Sequence, residues 1–384
     1  MQLFTNTNFD FLGKKWIFIG LSLVLTAAGI ASWIGKGGLK YGIDFTGGTN
    51  VTVRFNGTPP VDKVRTAVSA KIPGEISVQE VTDDNSVIIE TPQKAETQQA
   101  NDRALILEAL NSAFGEAGTR LDFNNASEQG LVDKLRDPLA AAGAGLNEEQ
   151  LRQVVQSMLE FRNTPPRSGL IRSFDELRPV KGVNEKIVGA LKQQCSLTPF
   201  AIRGIEQIGP KIGAELRSKA ILATLYALGG MLVYLAFRFE FIYGLAAVIA
   251  CFHDVIITLG LFSLFNKEIS LNVVAALLTL VGYSMNDTIV VFDRIREKLR
   301  LSRREPLEST VNKSVNETLS RTVLTSGLTL IAALSLYLFG GPVLHGFSFA
   351  LVFGILVGTY SSIFVASPIL IFWQEFADQR KKKR

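Results

Sequence analysis

Asp287 stands inside an apolar stretch, ISLNVVAALLTLVGYSMNDTIVVF (269–292), with hydrophobic neighbours before and after it. A carboxylate at the centre of a membrane helix costs roughly 2.5–3.5 kcal/mol on insertion scales, so it faces a bundle interior and usually has a function there. Burial favours its neutral form and a nearby cation its charged form. Such a group can therefore load a proton on one side and release it on the other when the cation moves. The alternative is architectural, an interhelical hydrogen-bond clamp. Tyr283, Ser284, Asn286 and Thr288 on the same stretch suit a hydrated pocket better than lipid. Asp287 precedes Arg294 by seven residues, about 10 Å at the rise of an α-helix, so it lies well inside the boundary.

Three other sets of residues could do chemistry. His253 and Asp254 lie near the middle of another apolar stretch. As sequence neighbours they project about 100° apart around a helix, so they are expected not to share a face, with one of them reaching a polar interior. They read as a second relay group, as support for Asp287, or as a helix-packing hydrogen bond. Arg321 opens the fifth stretch and reads, taken alone, as an interface arginine or an i,i+4 partner of Glu317. GIDFTGG (42–48) gathers Gly42, Asp44, Phe45, Gly47 and Gly48. It lacks the Lys-Ser/Thr of a phosphate-binding P-loop, so a hinge between two parts of the chain is the better reading. Asp293 beside Arg294 reads as a solvated interface charge. No Ser/His, Cys/His or metal-ligand cluster supports a hydrolase. Cys195 and Cys251 fall in regions too far apart to pair, so there is no disulfide framework.

The elements that must position these residues are written in the hydropathy. The chain has 384 residues, 47% hydrophobic and 20% charged, but the two kinds are segregated. Stretches of about 20 apolar residues span a bilayer, and six occur, at 16–34, 220–237, 242–265, 269–292, 323–339 and 347–373. Lys14, Lys15, Arg238, the RIREKLRLSRRE segment within loop 294–321 and the terminal RKKKR all fall on one face. By the positive-inside rule that face is cytoplasmic. Residues 1–15 and 374–384 are then cytoplasmic ends, and 35–219 is an outer domain. The first stretch exceeds a typical signal-peptide core, so an uncleaved anchor is expected rather than a leader. The net charge of +5 reports topology and contact with anionic lipids rather than nucleic acid. The basic tail reads equally as a solvated run or as a lipid or partner site.

Within the outer domain, TNVTVRF, EISVQEV, SVIIET and AIRGIEQI alternate as strands, with helices expected at 61–72 and 101–114. The order β-α-β-β-α-β predicts a ferredoxin-like α+β sandwich. Residues 115–200 interrupt it as a helical insertion, with a helix over 146–162. Its end, FDELRPVKGVNEKIVGALK (174–192), resembles a helix-hairpin-helix. Outside the cytoplasm a packed hairpin or protein contact is favoured over nucleic acid. IEQIGPKIGAELR (205–217) reads as a strand, a Gly/Pro turn and a connecting helix.

YGIDFTGGT (41–49), HDVIITLG (253–260), GYSMNDTIVVFDRIRE (282–297), SRTVLTSG (320–327) and YLFGGPVLHGFS (337–348), in this order around six spans, resemble the SecF family. This is the smaller membrane subunit of the SecD–SecF accessory complex of bacterial protein export. The resemblance covers about 1–114 and 201–373 and leaves the insertion outside. It implies an RND-superfamily fold in the inner membrane with 35–219 in the periplasm, and SecD, the SecYEG translocon and a translocating preprotein as partners. It implies no enzymatic activity and no cofactor, the energy source being the proton gradient, with sodium as the other candidate ion. Asp287 and Arg321 match the family's proton-transport residues, and the glycine loop matches its hinge motif. Two other classes remain: an RND-type exporter of small molecules or lipids, and a membrane-tethered nucleic-acid receptor acting through 115–200.

Overall fold

Val51, Val53 and Phe55 are buried while Asn50, Thr52 and Arg54, which alternate with them, are half-buried, the period-2 pattern of a strand with one face on a core. In the computed structural model, which describes residues 7–74, 76–81, 85–92, 99–115, 120–143, 146–238, 241–301 and 305–382, this strand is β1 (Gly48–Phe55). It lies between β3 (Ser86–Pro92) and β6 (Phe200–Ile208), with β2 (Ser77–Val81) beyond β3. Every neighbouring pair is antiparallel. Helices α2 (Val61–Ser69) and α3 (Gln99–Phe114) supply Val64, Val68, Ile106 and Leu110 to the same core. The strand order β2-β3-β1-β6 and the two helices make the ferredoxin-like sandwich predicted from the sequence.

The insertion leaves and re-enters this sandwich at one neck. There β4 (Leu121–Asp122) pairs in parallel with β5 (Cys195–Ser196). Its helices are α4 (Glu128–Ala141), α5 (Glu148–Asn163) and α6 (Glu185–Gln194). Ser127 caps α4, Asn184 caps α6, and Asn147 with Gln150 forms a capping box on α5, each satisfying amide donors that a helix start leaves open. Phe123, Leu131, Leu135, Leu151, Met158 and Leu191 form a core separate from that of the sandwich. The helix-hairpin-helix-like stretch is a packed turn. Gly182 has φ +89° and lies so close to α5 that a Cβ there would sit 2.7 Å from Val154 Cγ2.

The chain divides into two units, Thr46–Ala214 and Met1–Phe45 with Glu215–Arg384. Among the described residues six helical segments are long and apolar enough to cross a membrane, Leu12–Gly35, Pro210–Arg238, Phe241–Leu264, Leu271–Leu301, Leu307–Phe339 and Val343–Phe376, all in the second unit except the first turn of Pro210–Arg238. Their helices are α1 (Lys15–Gly35), α7 (Pro210–Arg238), α8 (Phe241–Leu264), α9 (Leu271–Leu301), α10 (Leu307–Phe339), α11 (Gly341–Ser361) and α12 (Ser367–Lys382). Several run well past their apolar windows. The connecting helix expected before residue 220 is the start of α7, continuous with the span. The basic segment 294–321 is mostly helix, because Arg294 and Lys298 on α9 pair with Glu317 on α10 and extend the two spans as a hairpin. Helix α1 meets α8 backbone to backbone: a Cβ on Gly29 would lie 2.6 Å from Gly260 Cα. One turn on, Ser32 Oγ and Ser263 Oγ share a hydrogen bond of 2.9 Å.

Candidate functional site

Asp287 is 2% exposed on α9, and its Oδ2 accepts a hydrogen bond of 2.9 Å from Ser326 Oγ on α10. The sequence placed it toward a polar interior, and there it is. Met285 and Val291 on the same helix enter an apolar cluster, while Ser284, Asp287 and Thr288, one helical turn, are buried polar groups. Serine and threonine recur on the facing helix. Thr322 and Ser326 of α10 are buried, and Thr325 lies beside Asp287. A carboxylate hydrogen-bonded by a hydroxyl in low dielectric is held firmly, since hydrogen bonds to charged groups are worth about 1.5–3 kcal/mol.

Arg321 is on α10, exposed, and its guanidinium makes no hydrogen bond or ion pair among the described residues. Its charge is near enough to act on Asp287 without touching it. The i,i+4 partner suggested for Arg321 is engaged elsewhere, since Glu317 pairs with Arg294 and Lys298. Asp293 is exposed, as expected of an interface charge.

His253 and Asp254 behave differently from the expectation that they would part company. His253 Nδ1 and Asp254 Oδ1 are 2.9 Å apart. Side chains of adjacent residues can bend toward each other when a buried carboxylate has no other partner on that oxygen. Asp254 is fully buried, and its Oδ2 accepts from Ser284 Oγ at 2.5 Å and Ser361 Oγ at 2.8 Å. Sequence reasoning missed Ser326 and Ser361, and it read Ser284 as a polar neighbour of Asp287 rather than as a donor to Asp254. Hydroxyls of this kind are common in membrane helices, and only the fold shows which of them reach a carboxylate.

The glycine loop splits at the boundary between the two units. Gly42 N donates to Ile269 O at 2.9 Å, and Asp44 Oδ2 accepts from Leu271 N at 2.7 Å. Asp44 therefore caps the first turn of α9, the helix that carries Asp287. Phe45 is buried against Ile269 and Val273. On the other side of the boundary, Gly47 has φ +79° and a Cβ there would sit 2.8 Å from Pro210 Cα. A side chain would be strained and would clash with backbone. Gly48 opens β1, paired with Pro92 and Ile208.

Two membrane-helix carboxylates, each tied to hydroxyls of neighbouring helices, and a ferredoxin-like domain joined through a glycine loop define a polytopic membrane protein with polar centres buried in its helix bundle. Residues 189–376 match the protein export membrane protein SecD/SecF C-terminal family, and residues 32–59 match the SecD/SecF GG motif. The chain belongs to the SecF family. A protein translocase subunit SecF from Koribacter versatilis is 48% identical over 99% of this chain and 95% of its own length. One from Calditerrivibrio nitroreducens is 37% identical over 96% of each. A crystal structure of SecDF from Thermus thermophilus, described as a translocon-associated membrane protein, has 31% identity and a TM-score of 0.65, covering 96% of this chain. A second SecDF structure, in a super-membrane-facing form, has 29% identity and a TM-score of 0.60. The chain spans about two-fifths of these SecDF chains.

Proposed function

We propose that this chain is a non-enzymatic accessory subunit of the Sec translocase in the bacterial inner membrane. With a SecD partner beside the SecYEG channel, it uses the proton gradient to draw preproteins outward into the periplasm. One observation carries the coupling step: Asp287 is buried on a hydroxyl of the neighbouring helix, with the Arg321 guanidinium close by and without an ion-pair partner among the described residues. Protonated, the carboxyl is neutral and needs no counter-charge. Ionised, it draws the cation toward it, and the approach or retreat of Arg321 would move α10 against α9. Alternating the two states across a gradient converts proton flow into helix movement. His253 and Asp254 supply a second polar centre in the same bundle. The glycine loop ties the first turn of α9 to the chain entering the outer domain.

The test is export of a preprotein from inverted membrane vesicles under an imposed gradient. Asp287→Asn keeps shape and hydrogen bonding but cannot cycle a proton, so it should abolish gradient-stimulated export while abundance and SecD association stay near wild type. Asp287→Glu should retain part of the activity. Wild-type rates from Asp287→Asn would make the residue a clamp. Export driven by a sodium gradient with the proton gradient collapsed would change the coupling ion.

A further inference from the structure

The two buried carboxylates differ in a way that assigns them different work. Asp254 is satisfied on both oxygens, with His253 on Oδ1 and two hydroxyls from two other helices on Oδ2. Asp287 accepts from Ser326 Oγ, with the Thr325 hydroxyl beside it, both from α10. Asp254 thus ties α9 and α11 to α8 at once, while the hydroxyls at Asp287 belong to one neighbouring helix.

Around Asp254 the helices are packed as closely as backbone allows. Gly354 and Gly358 of α11 lie one turn apart and form a groove against α9. A Cβ at Gly354 would lie 2.5 Å from Leu280 Cδ2, and one at Gly358 would lie 3.1 Å from Ser284 Cβ and 3.5 Å from Asp254 Oδ2. Small residues four apart let membrane helices approach in this way. Leu280 and Ser284 of α9 are likewise four apart, so the two helices mesh in one register. Ser284, whose side chain fills the groove, also donates to Asp254. It is three residues from Asp287, about 4.5 Å along the same helix. Ser361, the second donor, ends α11, and the next residues, Ser362–Ala366, form a π-helical turn packed against α9. Within that turn Ser367 Oγ donates to Ser362 O at 3.0 Å. Single π-turns of this kind are local irregularities frequently found at functional sites.

We infer that Asp254, Ser284, Ser361 and Gly358 form a register lock among α8, α9 and α11, positioning Asp287 rather than carrying the transported proton. The lock rests on the reading of Asp287 as the carrier. It acts through Ser284, which fixes the rotation and height of α9 one turn before Asp287, and through Ser361, which fixes the start of the π-turn. What Asp254 must provide is an acceptor oxygen between two hydroxyls, and an amide oxygen provides that as well as a carboxylate does.

Substitution separates holding from carrying. In vesicles containing the full chain with its SecD partner, Asp254→Asn should keep at least half of gradient-stimulated export, whereas Asp254→Ala should lose most of it at matched abundance. Ser361→Ala should lower the rate several-fold and move the midpoint of its pH profile by about half a unit, because releasing α11 from Asp254 shifts α9 and with it the surroundings of Asp287. The groups that could contribute to that profile near Asp287 are Arg321 on α10, His253 and Asp254 on α8, Tyr283 on α9 and Tyr360 on α11. A second measurement reads the register without proton coupling. In a chain carrying Cys195→Ser and Cys251→Ala, Leu280→Cys and Gly354→Cys should oxidise to a disulfide. Adding Asp254→Asn should leave the yield unchanged, and adding Ser284→Ala with Ser361→Ala should lower it several-fold. Loss of export in Asp254→Asn as complete as in Asp287→Asn would make Asp254 a carrier and overturn the lock. So would unchanged cross-linking in the double serine variant. Failure of Asp287 alone, with the cross-linking result as expected, would remove the carrier and leave the lock standing.

Discussion

At the scale of single residues, Arg321 and Cys195 give the sharpest expectations. Arg321 has no fixed partner among the described residues, so its role depends on charge and reach more than on a preset geometry. Arg321→Lys should therefore export more slowly than wild type but faster than Arg321→Ala, since charge persists while the planar fork is lost. Initial rates of gradient-driven export rank the three. Equal rates for lysine and alanine would mean that the guanidinium shape, not its charge, matters. Cys195 is 1% exposed, and burial pushes its thiol up to about 11. At neutral pH it is protonated and shielded, so an impermeant maleimide should not label it in the folded protein from either side. A topology probe belongs on the exposed face of α5 instead: Gln156→Cys should label from outside in intact cells. Labelling that requires opening the membrane from the cytoplasmic side would invert the topology. Asp287 was legible in the sequence because a lone carboxylate in an apolar run has few explanations. The partnership of His253 with Asp254 was not, because helical projection angles describe Cβ directions and not where flexible side chains end.

At the scale of elements, the strands and the sandwich were readable because each buried one face, and period-2 alternation survives in Val51, Val53 and Phe55. Helix ends were harder to read. Helices α7, α9 and α10 outrun their apolar windows, since pairs such as Arg294 with Glu317 sustain helix beyond the hydrophobic core. Helix α4, with Leu131, Val132, Leu135 and Leu139 buried, was not singled out in the sequence, where Pro138 within it weakens the helical signal. The first turn of α9 is capped by Asp44 on Leu271 N and by Ser270 Oγ on Val273 N. Asp44→Ala should cost about 0.5–2 kcal/mol, the usual loss of a helix cap, while Asp44→Asn should cost little. Thermal unfolding of the purified chain in detergent reads the difference, and an unchanged midpoint for the alanine variant would show that the cap is redundant. The insertion gives a second test. Its ends meet at the β4–β5 neck and its core is its own, so replacing 115–200 by a short linker should leave the sandwich folded and SecD association intact. Loop closure of any length costs little more as loops grow, so shortening one is tolerated. Complete loss of complex formation would make the segment part of the family core.

At the scale of the whole molecule, the N-terminal segment bears on topology independently of charge counting. Phe9 N donates to Asn316 Oδ1 at 2.8 Å and Phe11 N to Asn312 Oδ1 at 3.0 Å. The chain start and the hairpin between the fourth and fifth spans therefore lie together, as an even number of crossings between start and hairpin requires. The seam between α1 and α8 has a mechanical consequence. At Gly29 and Gly260 there is no side chain to yield, and prising the helices apart would bare their backbones to lipid tails. Helix α1 is held further by Phe18 stacked on Phe364 and by Ser22 Oγ at 3.0 Å from the Tyr360 hydroxyl, so it rides with α8 as a single beam.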